Sequence, residues 1–74
     1  MVKAKLSYGF PVKTVYYKID YRYHDEHDNI YEAMMRATDG DHEISDEAAC
    51  WCELASVGEC YGFREGIIEI IEED

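Results

Sequence analysis

Two stretches near the N-terminus alternate apolar and polar residues, which is the pattern of a β-strand with one buried face. The first covers residues 2–8, where Val2, Ala4 and Leu6 alternate with lysine and serine. The second covers residues 12–23 and is rich in the β-branched and aromatic residues that strands favour. The Gly-Phe-Pro between them predicts a turn, because proline has no amide hydrogen to donate to a strand ladder.

The next segment is harder to interpret. Residues 24–29 are polar throughout and predict a hairpin loop. Asn29 and Glu32 have the spacing of a helical capping box, and residues 30–38 include several strong helix formers. However, apolar and polar residues also alternate from Tyr31 onward, and pairing with the preceding strand would complete a hairpin. We therefore predict a strand over residues 30–38, with a helix as the alternative.

Residues 39–59 contain the clearest helix signal. Asp39-Gly40-Asp41 predicts a turn, and Ser45 is a favourable N-cap followed by acids that the helix dipole would stabilise. Ile44 would precede the cap as a hydrophobic staple, and Gly58 would follow the C-cap. The core-facing side would carry Ala48, Trp51, Cys52 and Ala55, with Leu54 beside them. The opposite side would carry Asp46, Ala49, Glu53 and Ser56.

Residues 66–71 are largely apolar on both faces, which predicts a central strand or one covered by a partner. The element order is then β-β-β-α-β, or β-β-α-β if the first two strands form one bulged strand. The simplest packing is a small antiparallel sheet of three to four strands with one helix on a face. The sequence thus predicts one α+β domain covering residues 1–74, because a chain of this length has no room for a second core.

Charge is distributed unevenly along the chain. Residues 1–24 carry five basic residues and one acid, a net charge of +4, whereas residues 25–74 carry two basic residues and sixteen acids, a net charge of −14. The total of −10 argues against direct nucleic-acid binding, which needs a concentrated lysine and arginine surface. The acidity has two interpretations: it keeps the protein soluble, or it attracts a basic protein.

The three cysteines, Cys50, Cys52 and Cys60, are an odd number and offer no disulfide framework. No signal peptide follows Met1, and no apolar run approaches the roughly 20 residues that a bilayer requires. We therefore expect a cytoplasmic protein with no membrane association. Its reduced thiols would act as small core residues.

Candidate chemistry in the sequence is weak. His24 and His27 form an H-x-x-H pair on a loop, which lacks the fixed geometry of a helical pair and a nearby third ligand. Solvated loop histidines are therefore favoured over a metal site. No cysteine lies among basic residues that would activate it, and glutamates flank Gly62 and Gly66, which excludes a phosphate-binding loop. We predict a non-enzymatic protein with no catalytic site, metal or cofactor.

So small a core is not expected to hide all of Tyr16, Tyr21, Tyr23, Tyr31 and Tyr61. Alternation along the second strand places Tyr16 on the face opposite the core. Because tyrosine is enriched at protein interfaces, an exposed tyrosine face is a candidate docking or dimerisation patch. The alternative is an ordinary half-exposed tyrosine of a sheet, which has no special role.

A partner-binding surface is expected from the acids around the predicted helix. Helix neighbours three or four residues apart lie about 5–6 Å apart, and alternate strand residues about 6.6 Å apart, so carboxylates can be spaced much like phosphates. The surface would consist of Asp39, Asp41, Glu43, Asp46, Glu47 and Glu53.

In size, charge and α+β character the chain resembles the small acidic phage-encoded inhibitors of the anti-CRISPR and anti-restriction type. The resemblance includes no motif, so no functional residue is carried over. It implies an inhibitor of a basic protein or nucleoprotein that handles nucleic acid, such as a CRISPR–Cas or restriction complex, which acts by mimicking or blocking DNA. The alternative is a small homodimeric structural or regulatory protein whose acidity serves solubility only.

Overall fold

The computed structural model describes residues 2–19 and 25–72, with residues 25–28 described by their backbone alone. Within these residues the elements are β1 (Val2–Tyr8), β2 (Lys13–Lys18), α1 (Asp25–Ala37), α2 (His42–Leu54), β3 (Cys60–Phe63) and β4 (Gly66–Glu72). The α+β class is confirmed. The element order is β-β-α-α-β-β among the described residues, so it differs from both predicted orders.

The sheet consists of two hairpins joined through their inner strands. Its order is β2-β1-β4-β3, and every neighbouring pair is antiparallel. The turn between β1 and β2 contains a cis peptide bond at Phe10-Pro11. The prediction that residues 66–71 form a central strand is confirmed, because β4 pairs with β1 on one side and with β3 on the other.

The second predicted strand is partly confirmed. β2 ends at Lys18 and Ile19 follows it as a buried residue outside the strand, while residues 20–23 of the prediction lie outside the described residues. Along β2, half-buried Val15 and Tyr17 alternate with exposed neighbours, as the sequence pattern predicts.

The predicted strand over residues 30–38 is wrong, and so is the predicted loop over residues 25–29, because α1 runs from Asp25 to Ala37. The apolar residues Ile30, Ala33, Met34 and Ala37 recur at the spacing of one helix face, and all four are buried. The capping-box alternative identified the correct type of element. It placed the start of the helix too late, since the helix begins four residues before Asn29.

The two helices cover one face of the sheet and form the core with it. Ala4 and Leu6 of β1 and Ile68 and Ile70 of β4 meet the apolar sides of α1 and α2 in one buried cluster. Residues that alternate with these along the strands point to the other face, which none of the described helices covers. We call this second face the open sheet face. It consists of Lys3, Lys5 and Ser7 of β1, Thr14, Tyr16 and Lys18 of β2, Ile67, Glu69 and Ile71 of β4, and Cys60 and Gly62 of β3.

The buried side of α2 differs from the prediction at two positions. Ala48 and Cys52 are buried as expected, but Ala49, predicted on the polar side, is 0% exposed, and Leu54, predicted beside the core, is 88% exposed. The buried side of α2 is therefore rotated by part of a turn relative to the prediction, and Ala49 belongs to the buried cluster that the two helices form with the sheet. Trp51 is half-buried and packs against the core.

Candidate functional site

A tight turn between the two helices positions the first acids of the predicted surface. α1 ends against Thr38, whose hydroxyl donates to the Met34 carbonyl oxygen at 2.7 Å and accepts from the Asp41 backbone amide at 3.2 Å. Asp39 and Gly40 both adopt left-handed backbone conformations, with φ of 55° and 92°, and the predicted turn is thereby confirmed. Asp and Gly are residues that tolerate this conformation, so the chain reverses here at low cost.

Asp41, and not Ser45, is the N-cap of α2. The Asp41 carboxylate accepts from the Ile44 backbone amide at 3.0 Å, and α2 begins at His42. Ser45 lies one turn inside the helix, where it is buried and its hydroxyl donates to the Asp41 carbonyl oxygen at 2.6 Å. The predictions of Ser45 as cap and of Ile44 as a residue before the cap are therefore wrong.

The end of α2 also differs from the prediction. Ala55 is the C-cap, and its amide donates to the Trp51 carbonyl oxygen at 2.9 Å. Gly58 follows three residues later, and its amide donates to the Ile70 carbonyl oxygen of β4 at 2.8 Å. Gly58 therefore ties the loop after α2 to the sheet and does not follow the C-cap directly.

The six predicted site residues lie together on the turn and on α2. Glu43, Asp46, Glu47 and Glu53 are all exposed along the solvent side of the helix, Asp39 is exposed in the turn, and Asp41 is half-buried at the cap. No lysine or arginine occurs between Arg36 and Arg64 in the sequence, whereas seven acids do. Every Asp, Glu, Lys or Arg residue of α2 and of the turn before it is therefore an acid. We call the six residues the acidic surface.

Two members of the acidic surface also have structural roles. Asp41 caps the helix, as described above. Glu47 forms a side-chain hydrogen bond with Tyr61 of β3, whose ring lies 5.5 Å from that of Trp51 between centroids. Burial, the charge and hydrogen bond of Glu47, and the charge of Asp41 all raise the pKa of the Tyr61 phenol above its usual value. Tyr61 therefore stays neutral and anchors α2 to β3 through Glu47.

The sequence pattern did not reveal the contact between Glu47 and Tyr61. The two residues are far apart in the chain and belong to a helix and a strand that meet only in the folded molecule. A second contact of this kind joins the helices, where the Tyr31 hydroxyl lies 2.6 Å from Nδ1 of His42. Together these contacts join α2 to β3 and to α1.

Two of the three thiols lie where the thiolate form is disfavoured. Cys52 is buried, and burial together with the charge of Glu53 raises its pKa to about 12. Cys50 lies exposed among the acids, and desolvation and the charges of Asp46 and Glu53 raise its pKa as well. Both shifts disfavour the reactive thiolate. Cys60 is exposed on the open sheet face, so the prediction of core thiols holds for Cys52 but is wrong for Cys50 and Cys60.

Comparisons with protein-family models, with curated proteins and with solved structures gave no match. The function is therefore inferred from the residues and the geometry of this chain alone. Among the described residues, no helix combines the length and the apolar character that crossing a membrane requires.

The described residues contain no group of three or more His, Cys, Asp or Glu side chains placed to hold a metal ion. His24 lies outside the described residues, and the side chain of His27 does too. The hypothesis that this pair binds a metal therefore stays a hypothesis.

The cap role of Asp41 can be separated from its charge. We expect Asp41→Ala to lower the free energy of unfolding by about 1 kcal/mol, because the Ile44 amide loses its acceptor. Asp41→Asn keeps an acceptor oxygen at the same position and should change stability by less than about 0.5 kcal/mol. Urea unfolding followed by Trp51 fluorescence measures both variants. Equal losses for the two would show that the charge stabilises the helix and that the cap hydrogen bond does not.

Proposed function

We propose that this chain is a non-enzymatic inhibitor that uses its acidic surface to bind a basic, nucleic-acid-handling partner. The partner class is a CRISPR–Cas or restriction complex, and binding would mimic DNA or block its site. The observation that carries the proposal is the concentration of exposed carboxylates along one side of α2, with no lysine or arginine between residues 36 and 64.

Folding requires only part of this acidity. Asp41 caps the helix and Glu47 bonds to Tyr61, whereas Glu43 stabilises the first turn only through the helix dipole, which contributes about 0.3–1 kcal/mol. Glu53 lies in the last turn, where the dipole disfavours a negative charge. The residue at this position therefore opposes helix stability slightly, which is more easily explained by binding than by folding.

The mode of binding follows from the shape of the surface. Glu43 lies three and four residues before Asp46 and Glu47, so these carboxylates are about 5–6 Å apart, and Glu53 follows about 9 Å further along the helix axis. The helix holds them in place without ordering a loop, so binding costs little conformational entropy. A groove lined with lysine and arginine to hold a phosphate backbone would receive such a row of charges. Association would be fast at low salt and would weaken steeply with ionic strength.

The proposal predicts that two exposed acids contribute directly to binding. Glu43→Gln with Glu53→Gln changes the net charge from −10 to −8 and leaves Asp41 and Glu47 in place. We expect this variant to bind its partner about tenfold more weakly, because each exposed charge pair contributes about 0.5–1 kcal/mol. The readout is phage plating efficiency on cells that carry an active CRISPR–Cas or restriction system and express the chain.

A matched control removes the same charge elsewhere. Glu65→Gln with Glu72→Gln also gives −8, but Glu65 lies in the turn between β3 and β4 and Glu72 at the end of β4. Wild type and control should raise plating efficiency, and the Glu43 and Glu53 variant should raise it less. Equal activity of the two variants would show that net charge alone matters. If the wild type raised plating efficiency on no strain with a CRISPR–Cas or restriction system, this partner class would be ruled out.

A further inference from the structure

The open sheet face differs in charge from the rest of the molecule. Among its residues Lys3, Lys5 and Lys18 are basic and Glu69 is the one acid, in a chain whose net charge is −10. The face also exposes apolar surface, since Tyr16 is 49% and Ile67 42% exposed. It is a partly apolar sheet surface that the acidic surface on α2 does not include.

The strand register sets the order of side chains across this face. One row runs from edge to edge through the middle of the sheet and consists of Tyr16 on β2, Lys5 on β1, Glu69 on β4 and Cys60 on β3. A large side chain therefore lies at one end of the row and a small one at the other. Between them a positive and a negative charge are adjacent.

The row is complementary in charge and size to the same row of a second copy that runs in the opposite direction. A two-fold axis that lies in the interface, parallel to the strands and between β1 and β4, places β1 of one copy over β4 of the other. Lys5 then faces Glu69 of the second copy twice, and each Tyr16 faces the small Cys60. A two-fold axis perpendicular to the strands would instead place Lys5 over Lys5 and Glu69 over Glu69, which like-charge repulsion disfavours.

We propose that the open sheet face is a homodimer interface in which two copies stack face to face about the axis parallel to the strands. The interface is isologous, so each charge pair occurs twice. Packed sheets of this kind align their strands within about 30°, which keeps the central Lys5 and Glu69 contacts and brings Ile67 and Ile71 of β4 over β1 of the second copy.

The area of the face is sufficient for a modest dimer. Four strands spaced about 4.8 Å apart and about five residues long give a footprint of roughly 300–350 Å². Because side chains project from the sheet, the accessible area is larger than this footprint, roughly 500–600 Å² per copy. A dimer would then bury about 1,000–1,200 Å² in total, which is at the lower end of specific interfaces. We therefore expect a dissociation constant of about 1–100 μM.

This inference does not depend on the proposed inhibitor function. Because the helices cover the opposite side of each sheet, the acidic surfaces would lie on the two outer sides of the dimer, available to partners. Neutralising Glu43 and Glu53 tests partner binding, whereas changing Lys5 and Glu69 tests self-association. Either proposal can therefore fail while the other holds.

The test is a charge swap read by sedimentation equilibrium. The wild type should dimerise, whereas Lys5→Glu and Glu69→Lys should each weaken dimerisation by at least about a hundredfold, because each creates two like-charge contacts across the axis. An equimolar mixture of the two variants should form a heterodimer, since both facing pairs then join a carboxylate of the first variant to an ammonium group of the second. Lys13→Glu makes the same charge change at an exposed β2 position off this face and should leave dimerisation unchanged.

Mixing the two variants distinguishes a weakened dimer interface from a folding defect. The distinction is needed because Lys5 and Glu69 are also neighbours within one sheet, where either substitution could disturb folding. If a single variant fails to fold by circular dichroism, the double variant Lys5→Glu with Glu69→Lys replaces it, since it restores the pair within the sheet. The double variant should dimerise with itself and not with the wild type. A wild type that stays monomeric at about 500 μM, or variants that remain monomers when mixed, would overturn the proposal.

Discussion

Replacing Gly66 with alanine is expected to lower the free energy of unfolding by about 2–4 kcal/mol, because the backbones of β1 and β4 meet at this residue. A Cβ atom at position 66 would clash with the Ser7 carbonyl oxygen and lie 2.8 Å from the Tyr8 Cα. Both atoms belong to the backbone of β1, so only separation of the two central strands relieves the contact. Urea unfolding followed by Trp51 fluorescence measures the loss.

Gly62 provides the matched control on the neighbouring strand. A Cβ atom built at Gly62 meets nothing within 4 Å, and its φ is not in the left-handed region. Gly62→Ala should therefore change the free energy of unfolding by less than about 0.5 kcal/mol. Similar losses at both positions would show that the close approach of β1 and β4 at Gly66 does not determine the effect.

The strands were largely predictable because their signal is local. Residues 2–8 alternate along their whole length, and β1 has the same bounds. Residues 66–71 are largely apolar on both faces, and β4 proves to be central. In both segments the alternation of side chains is set by neighbours in the sequence, so no distant contact is needed to interpret it.

The first helix was not predictable from alternation because the segment supports two periods at once. Residues at every second position from Tyr31 are apolar, but Ile30, Ala33, Met34 and Ala37 also fall on one helix face. Only packing distinguishes them, and in the folded chain the helical set is the buried one. The cap of α2 was predicted as Ser45, whereas Asp41 caps the helix, because its carboxylate accepts from the Ile44 amide.

The exposure of most acids of the candidate site could be predicted from the sequence, whereas their individual contacts could not. Exposure of Glu43, Asp46 and Glu53 follows from helical periodicity around the buried stripe. The bond between Glu47 and Tyr61 depends on where β3 lies against α2, which sequence spacing does not determine. The charge order across the open sheet face likewise depends on the register of four strands, and Lys5 and Glu69 become neighbours only in that register.

Met34 and Met35 offer a direct test of the corrected helix, because the two interpretations bury opposite residues. In a strand, alternation would place Met35 in the core and Met34 outside. In α1, Met34 is 0% exposed, whereas Met35 is half-buried. Met34→Ala should lower the free energy of unfolding by about 2–5 kcal/mol, because the removed side chain leaves a cavity between the helices and the sheet.

Met35→Ala makes the same chemical change one residue away and should cost less than about 1 kcal/mol, since water already reaches this side chain. Both variants keep a helix-favouring residue, so the difference between them reports burial and not propensity. Denaturant unfolding of the pair gives the order directly. A larger loss at Met35 would support the strand interpretation and contradict the turn that leads into Asp41. It would then also contradict the arrangement of the acidic surface on which the proposed function depends.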